Sequence, residues 1–148
     1  MTGKSEELFK KVFTVYGHNF DKAGETSTEI KSILKGLEID SDIIRRAVVV
    51  AFEAEMNVVM YANIGTLSFA ITDEGIHIEV ADEGPGIPDV EQAMQEGFST
   101  ASDEMREKGF GFGMGLPNIK KNSDFLKIES DVGKGTTLLA HIRLNSNA

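Results

Sequence analysis

Glu53 and Asn57 stand four residues apart in a stretch, residues 52–58, that is otherwise mostly apolar. On a helix, four residues return a side chain to within about 40° of its starting direction, so both project from one face. A carboxylate that is buried without a partner costs several kcal/mol, so the pair needs a partner or a role. The amide oxygen of Asn57 is a hard donor that suits Mg²⁺, a cation that keeps several waters and also takes phosphate oxygens. Glu53 beside it has the chemistry to orient or deprotonate an attacking hydroxyl. The plainer alternative is an exposed Glu53 and a merely tolerated Asn57.

The second half of the chain is organised by glycine. Gly109, Gly111, Gly113 and Gly115 alternate with Phe110, Phe112 and Met114, ahead of Leu116 and Pro117. Glycine weakens both helix and strand, so this density predicts backbone that must approach something closely, most often a phosphate chain. The repeat lacks the Lys and Ser/Thr that end a P-loop, and it does not follow a strand as a dinucleotide fingerprint does. What remains is a set of N–H groups leading into a helix near Pro117, which is an anion site, or else a flexible surface loop. Earlier, Asp82, Gly84 and Gly86 form D-x-G-x-G directly after a predicted strand. An Asp there can accept from an adenine amino group, with Gly86 letting the ring lie against the backbone; the same residues also make an ordinary β-turn. Gly133-Lys134-Gly135-Thr136-Thr137 alone reads as a hairpin turn.

The elements that must position these residues follow from periodicity. Residues 11–16 are β-branched and aromatic, which predicts a strand ending near Gly17. Thr26 and Glu29 have capping-box spacing, and Ile30, Ile33, Leu34 and Leu37 continue at helical period, predicting a helix over 26–37. A second helix is predicted over 41–64, closed by Gly65 and largely buried. Strands are predicted over 66–72 and 76–81 around the turn Asp73-Glu74-Gly75, then a short helix over 89–96. The polar segment 97–108 has no period and predicts a mobile loop. A helix from Pro117 to about 122 and strands over 125–130 and 136–144 complete the chain. The sum is an α/β chain, an α+β two-layer sandwich with helices on one face of a mostly antiparallel sheet.

Composition narrows the function classes. At 148 residues the chain has the size of one domain with a sizeable core. A net charge of −9 with no basic cluster argues against nucleic acid as a partner. With no cysteine, disulfides and thiolate metal sites are excluded. The first residues carry no apolar signal core, and the longest apolar run, 47–52, is too short for a membrane. The expectation is a cytoplasmic protein without a membrane partner.

Taken in order, helical E-x-x-x-N, D-x-G-x-G after a strand, a glycine-rich loop opening a helix and G-x-G-T starting the last strand resemble the GHKL (Bergerat-fold) ATP-binding superfamily. The resemblance runs over residues 10–144. Within it the chain is similar to the small bacterial anti-sigma-factor and stressosome-type serine/threonine kinases, through residues 94–100, G-x-G-x-G-L-P and 131–137. The resemblance implies a single ATP-binding kinase domain over residues 1–148. Asn57 would hold Mg²⁺ bound to the triphosphate, and Glu53 would be the base acting on a serine or threonine hydroxyl. Asp82 would bind adenine, with Gly84 and Gly86 in its loop and Thr136 supporting the same pocket. Gly111, Gly113, Gly115 and Leu116 would line the phosphates. A lid over 97–108 would close on the γ-phosphate, with Arg106 or Lys108 as its charge partner. A small antagonist protein would be the substrate, a sigma factor or phosphatase the alternate partner, and homodimerisation is a family expectation. Two departures, the charged stretch 102–108 and Met56 beside Asn57, bear on the lid and the partner more than on the nucleotide.

Two other readings use the same residues: a switch that binds ATP and selects partners without transfer, and a free-standing GHKL ATPase. A histidine kinase is disfavoured. His18, His77 and His141 lie in or beside predicted strands, and few residues precede the domain to build a phosphoacceptor bundle.

Overall fold

The computed structural model describes residues 7–95 and 115–144. In chain order they form β1 (Glu7–Tyr16), a 3₁₀ turn (Phe20–Lys22), α1 (Glu25–Gly36), α2 (Ser41–Tyr61), β2 (Ile64–Thr72) and β3 (Gly75–Glu83). These are followed by α3 (Val90–Ala93), α4 (Gly115–Asn122), β4 (Phe125–Asp131) and β5 (Gly135–Ile142). The strands make one sheet in the order β1-β2-β3-β5-β4, antiparallel at every pairing.

Period-two alternation gives the sheet its two faces. Leu67, Phe69 and Ile71 of β2, Ile76, Ile78 and Val80 of β3, and Leu138, Ala140 and Ile142 of β5 are all buried on one of them. The helices cover that face. Ile43, Ala47, Val50, Ala51, Ala54 and Val58 of α2 join the same core, with Ile30 and Leu34 of α1 and Leu116 and Ile119 of α4. Each large side chain buried here contributes about 1.5–3 kcal/mol. The expected two-layer α+β sandwich is therefore the architecture formed.

Several boundaries differ from the sequence expectation, each for a packing reason. Helix α2 ends at Tyr61, and Gly65 lies inside β2 instead of closing the helix. A Cβ on Gly65 would sit 2.8 Å from Val58 Cγ2, so the glycine lets the last turn of α2 lie on the strand. Strand β3 runs on to Glu83, because Ile64 pairs with Glu83 and Asn63 N–H donates to Glu83 O at 2.8 Å. Asp82 is thus in the strand's end, not after it. The capping box at Thr26 and Glu29 does not form, since α1 starts from Gly24 in the left-handed region (φ 95°). Glu29 instead pairs with Lys11 of β1. The orphan N–H groups at the start of α1 go to Glu55 of α2, whose carboxylate accepts from Gly24, Thr26 and Ser27. Helix α3 is shorter than expected and is capped by Asp89, whose Oδ1 accepts Gln92 N–H at 3.0 Å.

Candidate active site

Helix α2 presents Arg46, Val50, Glu53 and Asn57 along one stripe, since steps of four, three and four residues stay on one helical face. Helix α4 lies against that stripe and runs antiparallel to it. At one end Arg46 Nη2 meets Asp124 Oδ1, just past α4, at 3.2 Å. At the other end Asn118 Nδ2 donates to Glu53 Oε2 at 3.0 Å. The first residue of α4 reaches furthest in: a Cβ on Gly115 would lie 3.5 Å from Asn57 Oδ1 and 3.7 Å from Glu53 Oε1. Any longer side chain at Gly115 would fill the space in front of both oxygens.

Glu53 and Asn57 are half-buried, and not closed in the core as the apolar flanks implied. The buried carboxylate of α2 is Glu55, 2% exposed and engaged by the N-terminus of α1. Glu53 accordingly has a polar partner on Oε2, and among the described residues none hydrogen-bonds its Oε1, which faces Gly115.

The second group forms where β3 ends and β5 begins. Asp82 Oδ1 accepts Thr136 N–H at 3.1 Å. Burial pushes the Asp82 carboxyl above its usual range, and the Thr136 N–H offsets part of that effect. Among the described residues Oδ2 has no donor, so it remains an acceptor for a ligand. Three glycines make the close approaches here. A Cβ on Gly135 would be 2.0 Å from Asp82 O, one on Gly86 would be 2.4 Å from Asp131 O, and one on Gly84 would be 3.0 Å from Ala62 Cα. Gly86 also has φ 77°, where an L side chain is strained.

Ser130 ties the two loops together. Its Oγ accepts Ile87 N–H at 2.7 Å and lies 2.8 Å from Thr136 Oγ1 and 3.2 Å from Gly135 O. Asp82, Ser130, Gly135 and Thr136 line one cleft of about 510 Å³. The two groups are joined through the end of α2: Val58, next to Asn57, packs on Gly65, and Gly65 pairs with Asp82.

Of the residues that spacing selected, Glu53, Asn57 and Gly115 come together, and Asp82, Gly84, Gly86 and Thr136 form the second cluster. Leu116 is 9% exposed and packs in the core, so its side chain does not line a ligand site. Gly111, Gly113 and the lid with Arg106 and Lys108 lie outside the described residues. Sequence reading did not single out Asn118 or Ser130. Asn118 had a local signal, three residues after Gly115 and therefore on the same face. Ser130 had none, because its partner Ile87 is 43 residues away. Among the described residues no cluster of three or more His, Asp or Glu side chains could hold a metal by itself, and no helix is long and apolar enough to cross a membrane.

Comparison with known proteins bears on the whole arrangement. The family described as histidine kinase-, DNA gyrase B- and HSP90-like ATPase matches residues 41–146, from the start of α2 through β5. The anti-sigma F factor of Caldanaerobacter subterraneus subsp. tengcongensis is 32% identical over 133 residues, 90% of this chain and 81% of that protein. The anti-sigma F factor of Geobacillus stearothermophilus is 29% identical over 135 residues, 91% of this chain and 82% of that one. Serine/threonine-protein kinase RsbT of Bacillus subtilis is 35% identical over 92 residues, 60% of this chain and 63% of that protein. With its helical E-x-x-x-N pair, its D-x-G-x-G strand end and a match spanning both, the chain belongs to the histidine kinase-, DNA gyrase B- and HSP90-like ATPase family.

Proposed function

We propose that this chain is an ATP-dependent protein serine/threonine kinase that works as an anti-sigma-type regulatory switch. The observation that carries the reading is the meeting of Gly115 with Glu53 Oε1 and Asn57 Oδ1 at the α2–α4 junction. The relatives' names, anti-sigma F factor and serine/threonine-protein kinase, point the same way.

The residues present fit the nucleotide and its metal. The Asp82 carboxylate would accept the adenine amino group on Oδ2, while Gly86 and Gly135 let the chain pack closely on the Asp131 and Asp82 backbone and so hold that carboxylate at the cleft. Thr136, held by Ser130, supports the same pocket. Asn57 Oδ1 is a neutral hard oxygen facing Gly115, a donor that would hold Mg²⁺ together with phosphate oxygens. The metal held there would supply charge neutralisation for the phosphoryl oxygens. The backbone at Gly115 approaches the phosphates without a side chain in the way; Leu116 anchors that backbone by packing in the core. Gly84, Gly111 and Gly113 complete the nucleotide-binding set.

Glu53 accepts the proton of a serine or threonine hydroxyl on a small antagonist-type protein. As the hydroxyl oxygen bonds to the γ-phosphorus, the bond from that phosphorus to the β–γ bridging oxygen breaks, leaving phosphoprotein and ADP. The transfer relies on positioning and electrostatics more than on covalent chemistry by the protein. A sigma factor is the partner bound in alternation, and the cytoplasm is the compartment in which both occur.

The test is incubation with Mg²⁺ and γ-labelled ATP together with each small antagonist-domain protein encoded in the same genome. One of them should be labelled on serine or threonine, and Glu53→Gln should remove the label while ATP binding persists. Labelling by Glu53→Gln at the wild-type rate would overturn the base assignment. ATP-dependent partner capture with no labelled acceptor would establish the non-transferring switch instead.

A further inference from the structure

Asn118 is the one polar side chain among the described residues that reaches Glu53, and it does so across the helix interface. Its Nδ2 lies 3.0 Å from Glu53 Oε2. A carboxylate only accepts hydrogen bonds, so the amide must present its NH₂ and not its oxygen to Glu53. That leaves Glu53 Oε1, the oxygen facing Gly115, without a hydrogen-bond donor among the described residues.

We propose that Asn118 is the positioning residue for Glu53: by holding Oε2 it aims Oε1 at the incoming hydroxyl. The proposal rests on the kinase reading above. The chemistry favours an amide at this place. A neutral donor fixes the plane of the carboxylate but leaves its charge unpaired, so Glu53 stays a competent proton acceptor. A Lys or Arg there would hold Glu53 in an ion pair instead. A glutamate on its own has three rotatable side-chain bonds, and a misplacement of about 1 Å costs on the order of 10²-fold in rate.

The location of Asn118 gives the contact a second consequence. Asn118 and Gly115 share one face of α4, so the backbone proposed to meet the phosphates and the amide that aims the base move together. Helix α4 is pinned at its far end by Arg46 and Asp124. A displacement of its near end therefore disturbs the phosphate contact and Glu53 at once. Orientation of the base is in this way conditional on a seated α4.

The experiment uses the full chain, Mg²⁺-ATP and the acceptor protein labelled by wild type in the assay above. Asn118→Ala should lower kcat about 10–100-fold, as loss of supporting hydrogen bonds commonly does, with the Kd for Mg²⁺-ATP changed less than about twofold. The fold should survive, because Asn122 Nδ2 bonds to the backbone oxygen of residue 118 and not to its side chain. Asn118→Asp is the second variant. It places a carboxylate against Glu53, and two such groups this close cannot both stay ionised. The acid limb of the pH–rate profile should then move to higher pH, a shift that a merely structural role would not produce. Wild-type kcat in Asn118→Ala while Glu53→Gln is inactive would overturn the proposal and leave the kinase reading standing. An unmoved acid limb in Asn118→Asp would also overturn it. If wild type labels no acceptor, the reading beneath it falls first.

Discussion

The Glu55 carboxylate accepts the backbone N–H of Ser27 at 3.1 Å through Oε1, while its Oε2 takes Gly24 N–H at 3.0 Å and Thr26 N–H at 3.3 Å. A side chain of α2 thus performs the capping that α1 does not supply for itself. The positive end of the α1 dipole favours the negative charge. Through this contact α1 is fixed to the helix that carries Glu53 and Asn57.

Glu55→Ala removes the acceptor and leaves buried N–H groups unmatched, so we expect it to lose about 2–4 kcal/mol of stability. Glu55→Gln keeps the shape but turns an NH₂ toward N–H donors, and we expect a loss of about 1–3 kcal/mol. Urea unfolding measures both. A Glu55→Ala midpoint equal to that of wild type would show that the capping contributes nothing.

Gly86 and Gly133 separate two effects that glycine can serve. Both have positive φ, 77° and 83°. A Cβ on Gly133 meets nothing within 4 Å, whereas one on Gly86 would be 2.4 Å from Asp131 O. Gly133→Ala should therefore carry only the conformational cost of about 1–2 kcal/mol. Gly86→Ala must also push the D-x-G-x-G loop off the β4–β5 hairpin, and should cost about 2–4 kcal/mol by the two effects together. Titration with a fluorescent ATP analogue should show weakened binding for Gly86→Ala and near wild-type affinity for Gly133→Ala. Equal affinities in the two variants would contradict the close-approach role.

The fold was legible where side chains alternate or recur in a simple period. Leu67, Phe69 and Ile71 announce the inner face of β2, and Glu53 with Asn57 is visible as an i, i+4 pair. What escaped was set by contacts between distant segments. Glu53 and Glu55 look equivalent in sequence, yet they are about 200° apart on the helix. Which of them is buried depends on where α1 docks. Gly65 resembles a helix stop, but its reason is Val58 packing across from the previous element. Ser130 sits in an ordinary half-exposed strand position, and only the return of Ile87 and Thr136 to it makes it the tie between two loops.

On the proposed assignment, with Asp82 binding adenine and Asn57 serving the phosphates, the two positions should respond separately. Asp82→Asn keeps an oxygen for Thr136 N–H but replaces the charged acceptor on the other side. We expect ATP affinity to fall about 10–100-fold, or about 1.4–2.8 kcal/mol. Affinity for inorganic tripolyphosphate, which has no base, should not change. Asn57→Ala should weaken both ligands in the presence of Mg²⁺. Because burial already disfavours the Asp82 charge, Asp82→Asn should not destabilise the fold in thermal unfolding. Parallel losses of ATP and tripolyphosphate in Asp82→Asn would remove Asp82 from the base pocket.

On the sheet face away from the helices, His77 and His141 are strand partners whose rings stack with centroids 4.5 Å apart and planes 10° apart. His77 Nε2 also bonds Thr72 Oγ1 at 2.9 Å, and His141 Nε2 lies 3.2 Å from Glu74 O. Burial lowers the His77 pKa from 6.5, and the neighbouring His141 lowers it further, against an opposing pull from Glu74. The folded state thus resists a proton that the unfolded chain takes at the ordinary value. The resulting contribution to stability is intact above pH 6.5 and is lost as pH falls below it, until the folded state binds the proton as well. Unfolding free energy should therefore decline between about pH 7.5 and about pH 5.5. His77→Gln can still bond Thr72 but does not titrate, so its profile over that interval should be flatter than wild type. Coincident slopes for the two proteins would mean that the stacked pair does not govern stability in this range.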